Sequence, residues 1–196
     1  LVKGGYTITV YGGLLTLLMA GLFFGWESLN EIATWITAAV AVVVAVYTAF
    51  LFGQAKGRDF WQSPTLAIHM LVHSFMAGAA TLALVALLTN DSLGWTDFLA
   101  TVMAVGIGVN LLTMVVELTM THPTVAAHEV VKMITKGRYA TTFYLGAVLL
   151  GNIIPLVLLL MGASQMMIAL AGIMVLAGIY FTEKIWVEAP QRISLS

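Results

Sequence analysis

The sequence predicts an all-α integral membrane protein, in which six transmembrane helices form a bundle and both termini are cytoplasmic. Three observations predict this class. The 196 residues are 61% hydrophobic and only 9% charged, whereas a soluble domain carries about 25% charged residues. Six apolar runs are each long enough to cross the roughly 30 Å hydrocarbon core of a bilayer. The basic residues are confined to alternate connections between those runs.

The charge pattern fixes the predicted topology. All eight Lys and Arg residues precede the first run, follow the last, or lie in the second and fourth connections: Lys3, Lys56, Arg58, Lys132, Lys136, Arg138, Lys184 and Arg192. The other three connections carry no basic residue, and two of them contain acids. This alternation is the positive-inside pattern of a multi-pass membrane protein. We therefore expect both ends of the chain on the cytoplasmic side.

The predicted spans cover residues 6–24, 32–53, 65–89, 97–121, 140–161 and 164–182, and together they form one domain over residues 1–196. Turn residues separate them, among them Gly25, Asn90 and Gly162. Residues 125–136 are too polar to span, but their apolar positions recur at helical spacing. They predict a short amphipathic helix on the cytoplasmic surface, with an ordinary linker helix as the alternative.

Small residues and one proline predict how the spans pack. Without a hydrophobic force between helices in lipid, small residues at four-residue spacing allow close contact. Such stripes occur in three spans: Ser74 and Gly78; Ala100, Ala104 and Gly108; Ala147 and Gly151. Pro155 predicts a kink that frees the carbonyl of Gly151, and the side chain of Asn152 is placed to satisfy it. A substrate-lining role for Asn152 is the alternative.

Polar residues within the spans are the candidate functional residues, because each is costly in a bilayer. His69 and His73 are one turn apart in the third span, and Glu117 shares a face of the fourth span with Asn110. If these spans pack as a hairpin, His69, His73, Glu117 and His122 form one cluster in the cytoplasmic half. Such groups can carry protons or bind a quinone carbonyl. Hydrogen bonding between helices and snorkelling are the alternative roles.

Several classes of cofactor and partner are disfavoured. The chain has no cysteine, so it cannot ligate an iron–sulfur cluster through thiolates. A b-type haem needs two axial ligands that face each other. His69 or His73 could pair with His122, but all four histidines lie toward the cytoplasmic side and two are at or beyond a helix end. We therefore expect neither haem nor an iron–sulfur cluster on this chain, and no other metal site. The eight basic residues are spread along the chain, so we also expect no binding to nucleic acid. A haem-binding quinol dehydrogenase subunit and a secondary transporter or channel remain the alternative functions.

Two stretches and the C-terminus resemble the NrfD/PsrC family. Residues 47–80 are similar to its Y-T-G-x-L-x … W-x-x-P helix-loop-helix, which includes Trp61. Residues 110–160 contain a Glu near a helix end, an amphipathic connector, the triplet Gly137-Arg138-Tyr139 and a G-x-x-x-P helix. Residues 188–196 resemble the closing A-G-Q … P-L-S of the family, with Pro190 in place of Gly. The resemblance covers most of the chain from about residue 40.

This resemblance implies an integral membrane subunit of a respiratory oxidoreductase complex in the inner (cytoplasmic) membrane. Such subunits exchange electrons between menaquinone or ubiquinone and a ferredoxin-like iron–sulfur subunit, which serves a molybdopterin-type or related catalytic subunit. Family members have more spans than six, so we expect the C-terminal part of such a subunit, completed by missing N-terminal helices or a second NrfD-like chain. The quinone or proton-route candidates are His69, His73, Asn110, Glu117 and His122, with Trp61 and Asn152 as secondary candidates.

Overall fold

A computed structural model describes residues 2–91, 94–122, 124–162 and 164–194. Six long apolar helices are each able to cross a membrane: α1 (Val2–Phe24), α2 (Glu27–Gly53), α3 (Thr65–Leu88), α4 (Thr96–Thr119), α6 (Thr142–Leu160) and α7 (Gln165–Gln191). A short helix, α5 (Val125–Thr135), lies between α4 and α6. The chain is 85% helical and the described residues contain no strand. The predicted fold class is confirmed, while the cytoplasmic location of the termini stays a prediction.

The bundle has a compact part and a loosely attached hairpin. Helix α3 packs against α4 and α7, and α7 packs against α6. Helices α1 and α2 pack mainly on each other, and α2 joins them to α3. Only 6% of the α1 span and 11% of the α2 span are buried within the chain, against a third or more of the other four. The first two helices therefore present most of their apolar surface to lipid or to another protein.

The last helix extends beyond the predicted span, which ended at residue 182. It runs to Gln191, and its apolar face continues past the charged pair Glu183-Lys184. Ile185, Trp186 and Ala189 are almost completely buried. Packing of this face keeps the segment helical even though its charge ends the apolar run. Of the C-terminal sequence motif, Leu195 and Ser196 lie outside the described residues.

Hydrogen bonds join the connection between α2 and α3 to the end of α7. Arg58 Nη1 donates to the carbonyls of Pro190 and Ile193 at 2.5 and 2.6 Å. The indole N–H of Trp61 donates to the carbonyl of Trp186 at 2.8 Å. The guanidinium of Arg58 thus satisfies backbone acceptors at a helix C-terminus, which would otherwise lack partners. These contacts place the basic connection between α2 and α3 and the basic C-terminal segment at the same end of the bundle.

Helix α5 is amphipathic. Ala127, Val130 and Ile134 are buried against the core at this end of the bundle, while Lys132 is exposed. Thr124 caps the helix, because its hydroxyl oxygen accepts a hydrogen bond from the Ala127 N–H at 3.3 Å. The predicted surface helix is therefore present and docks through one face.

Helix α6 is unusual because Thr142–Ile153 forms a π-helix, which is followed by a short α-helical segment containing Pro155. The π-helix is rare and occurs mostly as single-turn bulges inside α-helices, which are frequent at functional sites. The Asn152 side chain donates to the carbonyl of Ala147 at 2.7 Å. The prediction that Asn152 satisfies Gly151 is therefore wrong. The wider helical turn brings the carbonyl five residues back within reach of Asn152.

Glycine packing occurs at one of the three predicted stripes. Gly151 on α6 and Gly178 on α7 meet backbone to backbone, and a methyl group on either would overlap the other. In contrast, a methyl group on Gly78 or Gly108 would meet no atom within 4 Å. The stripes on α3 and α4 therefore do not form helix contacts at these glycines within the described part of the chain.

Candidate functional site

Four helices contribute to one group of polar side chains inside the bundle. We define this polar cluster as His69 and His73 from α3, Asn110 and Glu117 from α4, Asn152 from α6, and Glu183 and Trp186 from α7. Its members are buried, except that the side chain of Glu183 is 30% exposed. Glu183 is therefore the point where the cluster reaches the surface of the bundle.

His73 connects the two sides of the polar cluster. Its Nδ1 lies 2.6 Å from Glu183 Oε1, and its Nε2 lies 3.1 Å from Asn110 Oδ1. The amide of Asn110 donates to Asn152 Oδ1 at 2.9 Å, and the amide of Asn152 donates to the carbonyl of Ala147. A continuous line of hydrogen bonds thus runs from the backbone of α6 to the carboxylate on α7.

The backbone fixes the direction of every bond in this line from Ala147 to His73. The Ala147 carbonyl can only accept, so Asn152 must turn its NH₂ toward it and its oxygen toward Asn110. Asn110 must then present its NH₂ to Asn152 and its oxygen to His73. His73 consequently carries a hydrogen on Nε2. The contact between His73 Nδ1 and Glu183 therefore requires one further proton, held by the imidazole or by the carboxyl group.

Glu117 and His69 form the other half of the polar cluster. The indole N–H of Trp186 donates to Glu117 Oε2 at 3.0 Å, and His69 Nδ1 lies 3.5 Å from the same oxygen. Both ring nitrogens of His69 and Oε1 of Glu117 are buried without a hydrogen-bond partner among the described residues. The rings of His69 and His73 meet edge to face with centroids 4.2 Å apart. The cluster thus has unused donor and acceptor capacity at its centre.

Comparison with known proteins identifies the family. The family model described as polysulphide reductase, NrfD, matches residues 11–191, which include all of the polar cluster. The chain belongs to the NrfD family. No curated protein and no solved structure matches it. The match begins within α1, so it extends the resemblance noted in the sequence to the first two helices. NrfD proteins are multi-pass membrane subunits of polysulfide reductase-like oxidoreductase complexes.

The structure of this NrfD chain brings together most of the candidate residues. His69, His73, Asn110, Glu117 and Asn152 all belong to the polar cluster.

Two other candidates, His122 and Trp61, lie outside the hydrogen-bonded cluster. The ring of His122 packs on Phe60 at 6.0 Å, and its buried Nε2 has no hydrogen-bond partner among the described residues. Trp61 binds the backbone of Trp186 and therefore supports the cluster from outside it.

Two members of the polar cluster, Glu183 and Trp186, were not among the candidate residues predicted from the sequence. Both lie beyond the predicted end of the last span at residue 182. The available signal was the continued apolar spacing of Ile185, Trp186 and Ala189, which keeps one face of α7 buried past Lys184. This spacing indicates that the helix continues past residue 182, with Trp186 on its buried face and Glu183 at the edge of that face.

Two grooves between the long apolar helices lie outside the polar cluster. One, of about 310 Å³, lies between α3 and α4 and is lined by apolar side chains together with Thr101 and Gly106. The other, of about 480 Å³, lies between α1, α2 and α3 and includes Tyr11, Ser74 and Phe75. The second groove carries two hydroxyl groups on an otherwise apolar wall, which is the composition expected of a small-molecule site.

Proposed function

We propose that this NrfD chain is the quinone-interacting membrane subunit of a respiratory oxidoreductase complex in the inner membrane. It exchanges electrons between membrane quinone and a ferredoxin-like iron–sulfur subunit, which serves a molybdopterin-type catalytic subunit. The family match across all six spans carries this proposal. The absence of cysteine from the sequence is consistent with it, because a partner would then supply the clusters.

The groove between α1, α2 and α3 is the proposed quinone site. It opens toward lipid, where quinone is dissolved, and its volume lies within the usual range of ligand pockets. The Ser74 hydroxyl already donates to the carbonyl of Met70 at 2.9 Å, so it can only accept a further bond. Tyr11 is then the hydroxyl placed to donate to a quinone carbonyl.

A substitution of Tyr11 tests this site. Removing one neutral hydrogen bond costs about 0.5–1.5 kcal/mol, so we expect Tyr11→Phe to raise the KM for quinol about 2- to 10-fold with little change in kcat. Tyr144→Phe, at an exposed tyrosine on α6, is the matched control. Equal KM values for both variants and the wild type would show that quinone does not bind through Tyr11 in this groove.

The polar cluster supports a proton route associated with this function. His73 and Glu183 share one proton, as the hydrogen-bond directions require, and Glu183 is partly exposed. We propose that protons pass between Glu117, His69 and His73 and exchange with the aqueous phase through Glu183. His122 is outside the hydrogen-bonded cluster and is not needed for this route.

Quinol-dependent reduction and proton release, measured together in membranes containing the complex, test the route. We expect Glu117→Gln, His73→Ala and Glu183→Gln to slow proton release more than electron transfer. His128→Gln is the control, because His128 is exposed on α5. Unchanged proton release in all three variants would exclude the route. Co-purification of a cysteine-rich partner tests the complex itself, and a chain that is stable alone and inactive with quinol would contradict it.

A further inference from the structure

We propose that His69, His73 and Glu183 form a binding site for Zn²⁺ within the membrane bundle. The bound ion would take the place of the proton between His73 and Glu183, and would therefore block the proton route proposed above. A donor atom from each of these side chains lies within 4.8 Å of the donor atoms of the other two. The histidines are one turn apart on α3, and the glutamate comes from the facing helix α7. The family match assigns no metal to these residues.

The geometry is close to that of a zinc site with three protein ligands. Zn–N and Zn–O bonds of about 2.0–2.2 Å in a tetrahedron place donor atoms about 3.4 Å apart. The donors therefore have to move together by at most about 1.4 Å, which side-chain rotation can supply. His73 Nδ1 and Glu183 Oε1, now 2.6 Å apart, would separate slightly as the metal replaces the proton between them.

His69 provides an independent observation that indicates a ligand. Its side chain is 1% exposed, and neither ring nitrogen has a hydrogen-bond partner among the described residues. Leaving a buried polar group unpaired destabilises the folded protein. A metal ion bound to this imidazole would use a lone pair that no protein donor satisfies.

The surroundings of His73 also fit a metal ligand. Asn110 accepts the Nε2 hydrogen of His73, which leaves the Nδ1 lone pair directed at Glu183. Ligating histidines commonly have their second nitrogen held by such an outer partner, which fixes the tautomer. The hydrogen bonds that run from α6 through Asn152 and Asn110 therefore orient His73 in the way that a metal site requires.

Charge and donor type favour a zinc-like ion. Glu117 Oε2 lies 3.5 Å from His69 Nδ1, so two carboxylates, Glu117 and Glu183, flank the imidazoles. A divalent cation would balance both charges in a region where unpaired charge is costly. Two imidazole ligands favour Zn²⁺ over Mg²⁺ or Ca²⁺, which prefer oxygen donors.

Metal binding by the purified complex tests the proposal without any measurement of quinone activity. After treatment with a chelator, Zn²⁺ is titrated by equilibrium dialysis, and Co²⁺ is added separately as a spectroscopic probe. We expect His69→Gln and Glu183→Gln each to bind one Zn²⁺ fewer per chain than the wild type. We expect Asn110→Leu to weaken that site about 10- to 100-fold.

Two control variants address sites elsewhere in the complex. His128→Gln removes an exposed histidine, and Glu188→Gln removes a partly buried acid farther along α7. Both variants should bind as many zinc ions as the wild type, because neither residue belongs to the proposed site. Zinc bound by partner subunits is the same in every sample and does not affect the difference between variants. Equal zinc binding by the wild type, His69→Gln and Glu183→Gln would overturn the proposal, as would loss of zinc in a control variant only.

Loss of zinc in the variants above could also result from misfolding. A substitution that adds a stronger ligand avoids this ambiguity, because it should produce a new signal. The sequence has no cysteine, so Glu183→Cys introduces a single thiol into the chain. A thiolate is a good zinc and cobalt ligand, and we expect Co²⁺ to produce a sulfur-to-metal absorption band absent from the wild type. A folded Glu183→Cys complex that shows no such band would also overturn the proposal.

Discussion

The contact between Gly151 and Gly178 allows a quantitative test of the packing of α6 on α7. A methyl group added to Gly178 would overlap the Cα of Gly151, and one added to Gly151 would overlap the Cα of Gly178. Because the obstructing atoms are backbone, no side-chain rotation can relieve the overlap. Overpacking of this kind costs about 1–3 kcal/mol. We therefore expect Gly178→Ala to separate the two helices and destabilise the chain.

The control for this substitution is Gly108→Ala on α4. A methyl group there meets no atom within 4 Å among the described residues, apart from the backbone of its own helix. The substitution should therefore change only helix propensity, which favours Ala over Gly by about 1 kcal/mol. Both variants gain this propensity. The difference in their free energy of unfolding should therefore equal the overlap alone, about 1–3 kcal/mol.

Titration with sodium dodecyl sulfate from a mild detergent, followed by far-UV circular dichroism, measures this difference. Gly178→Ala should unfold at a lower mole fraction of the denaturing detergent than Gly108→Ala. If the two variants unfold at the same point, the close approach of α6 and α7 is not present in the folded chain. The arrangement of Asn152 and Glu183 that depends on it would then have to be revised.

Three further outcomes are expected, two from the same unfolding measurement and one from hydrogen exchange. Trp186→Phe keeps an aromatic ring but removes the hydrogen bond to Glu117, and should cost about 0.5–1.5 kcal/mol for that bond. In a Glu117→Leu background, which has no acceptor for the indole, the same change should cost less, and equal costs would contradict this hydrogen bond. Arg58→Met frees the carbonyls of Pro190 and Ile193, so hydrogen exchange should rise in the last turn of α7 while the bundle stays folded.

The fold was predictable because a bilayer permits few solutions. Backbone groups without internal partners are too costly in lipid, so each long apolar run must be helical. The predicted third and fourth spans, 65–89 and 97–121, lie close to α3 and α4. The end of α7 was missed because charge at Glu183 and Lys184 lowers the hydropathy. That segment is held by packing of one face, which a composition argument does not detect.

The candidate site was predictable in part. His69, His73 and Glu117 could be grouped because consecutive spans form a hairpin and equal depth follows from counting residues. Their partners could not, since the contacts of Asn110 with Asn152 and of His73 with Glu183 depend on how α6 and α7 are rotated about their axes. A single sequence predicts how deep each residue lies in the bilayer, but it does not predict how each helix is rotated about its axis.

The hydrogen bonds through Asn152 and Asn110 couple the position of α6 to the tautomer of His73. A carbonyl on α6 determines which nitrogen of an imidazole on α3 bears hydrogen, through two asparagine side chains. If α6 slid along its axis far enough to part Asn152 from Asn110, the latter could rotate its terminal group by half a turn. His73 would then face a donor in place of an acceptor, and its tautomer would change. Movement of a helix would thereby be translated into a relocation of hydrogen two helices away.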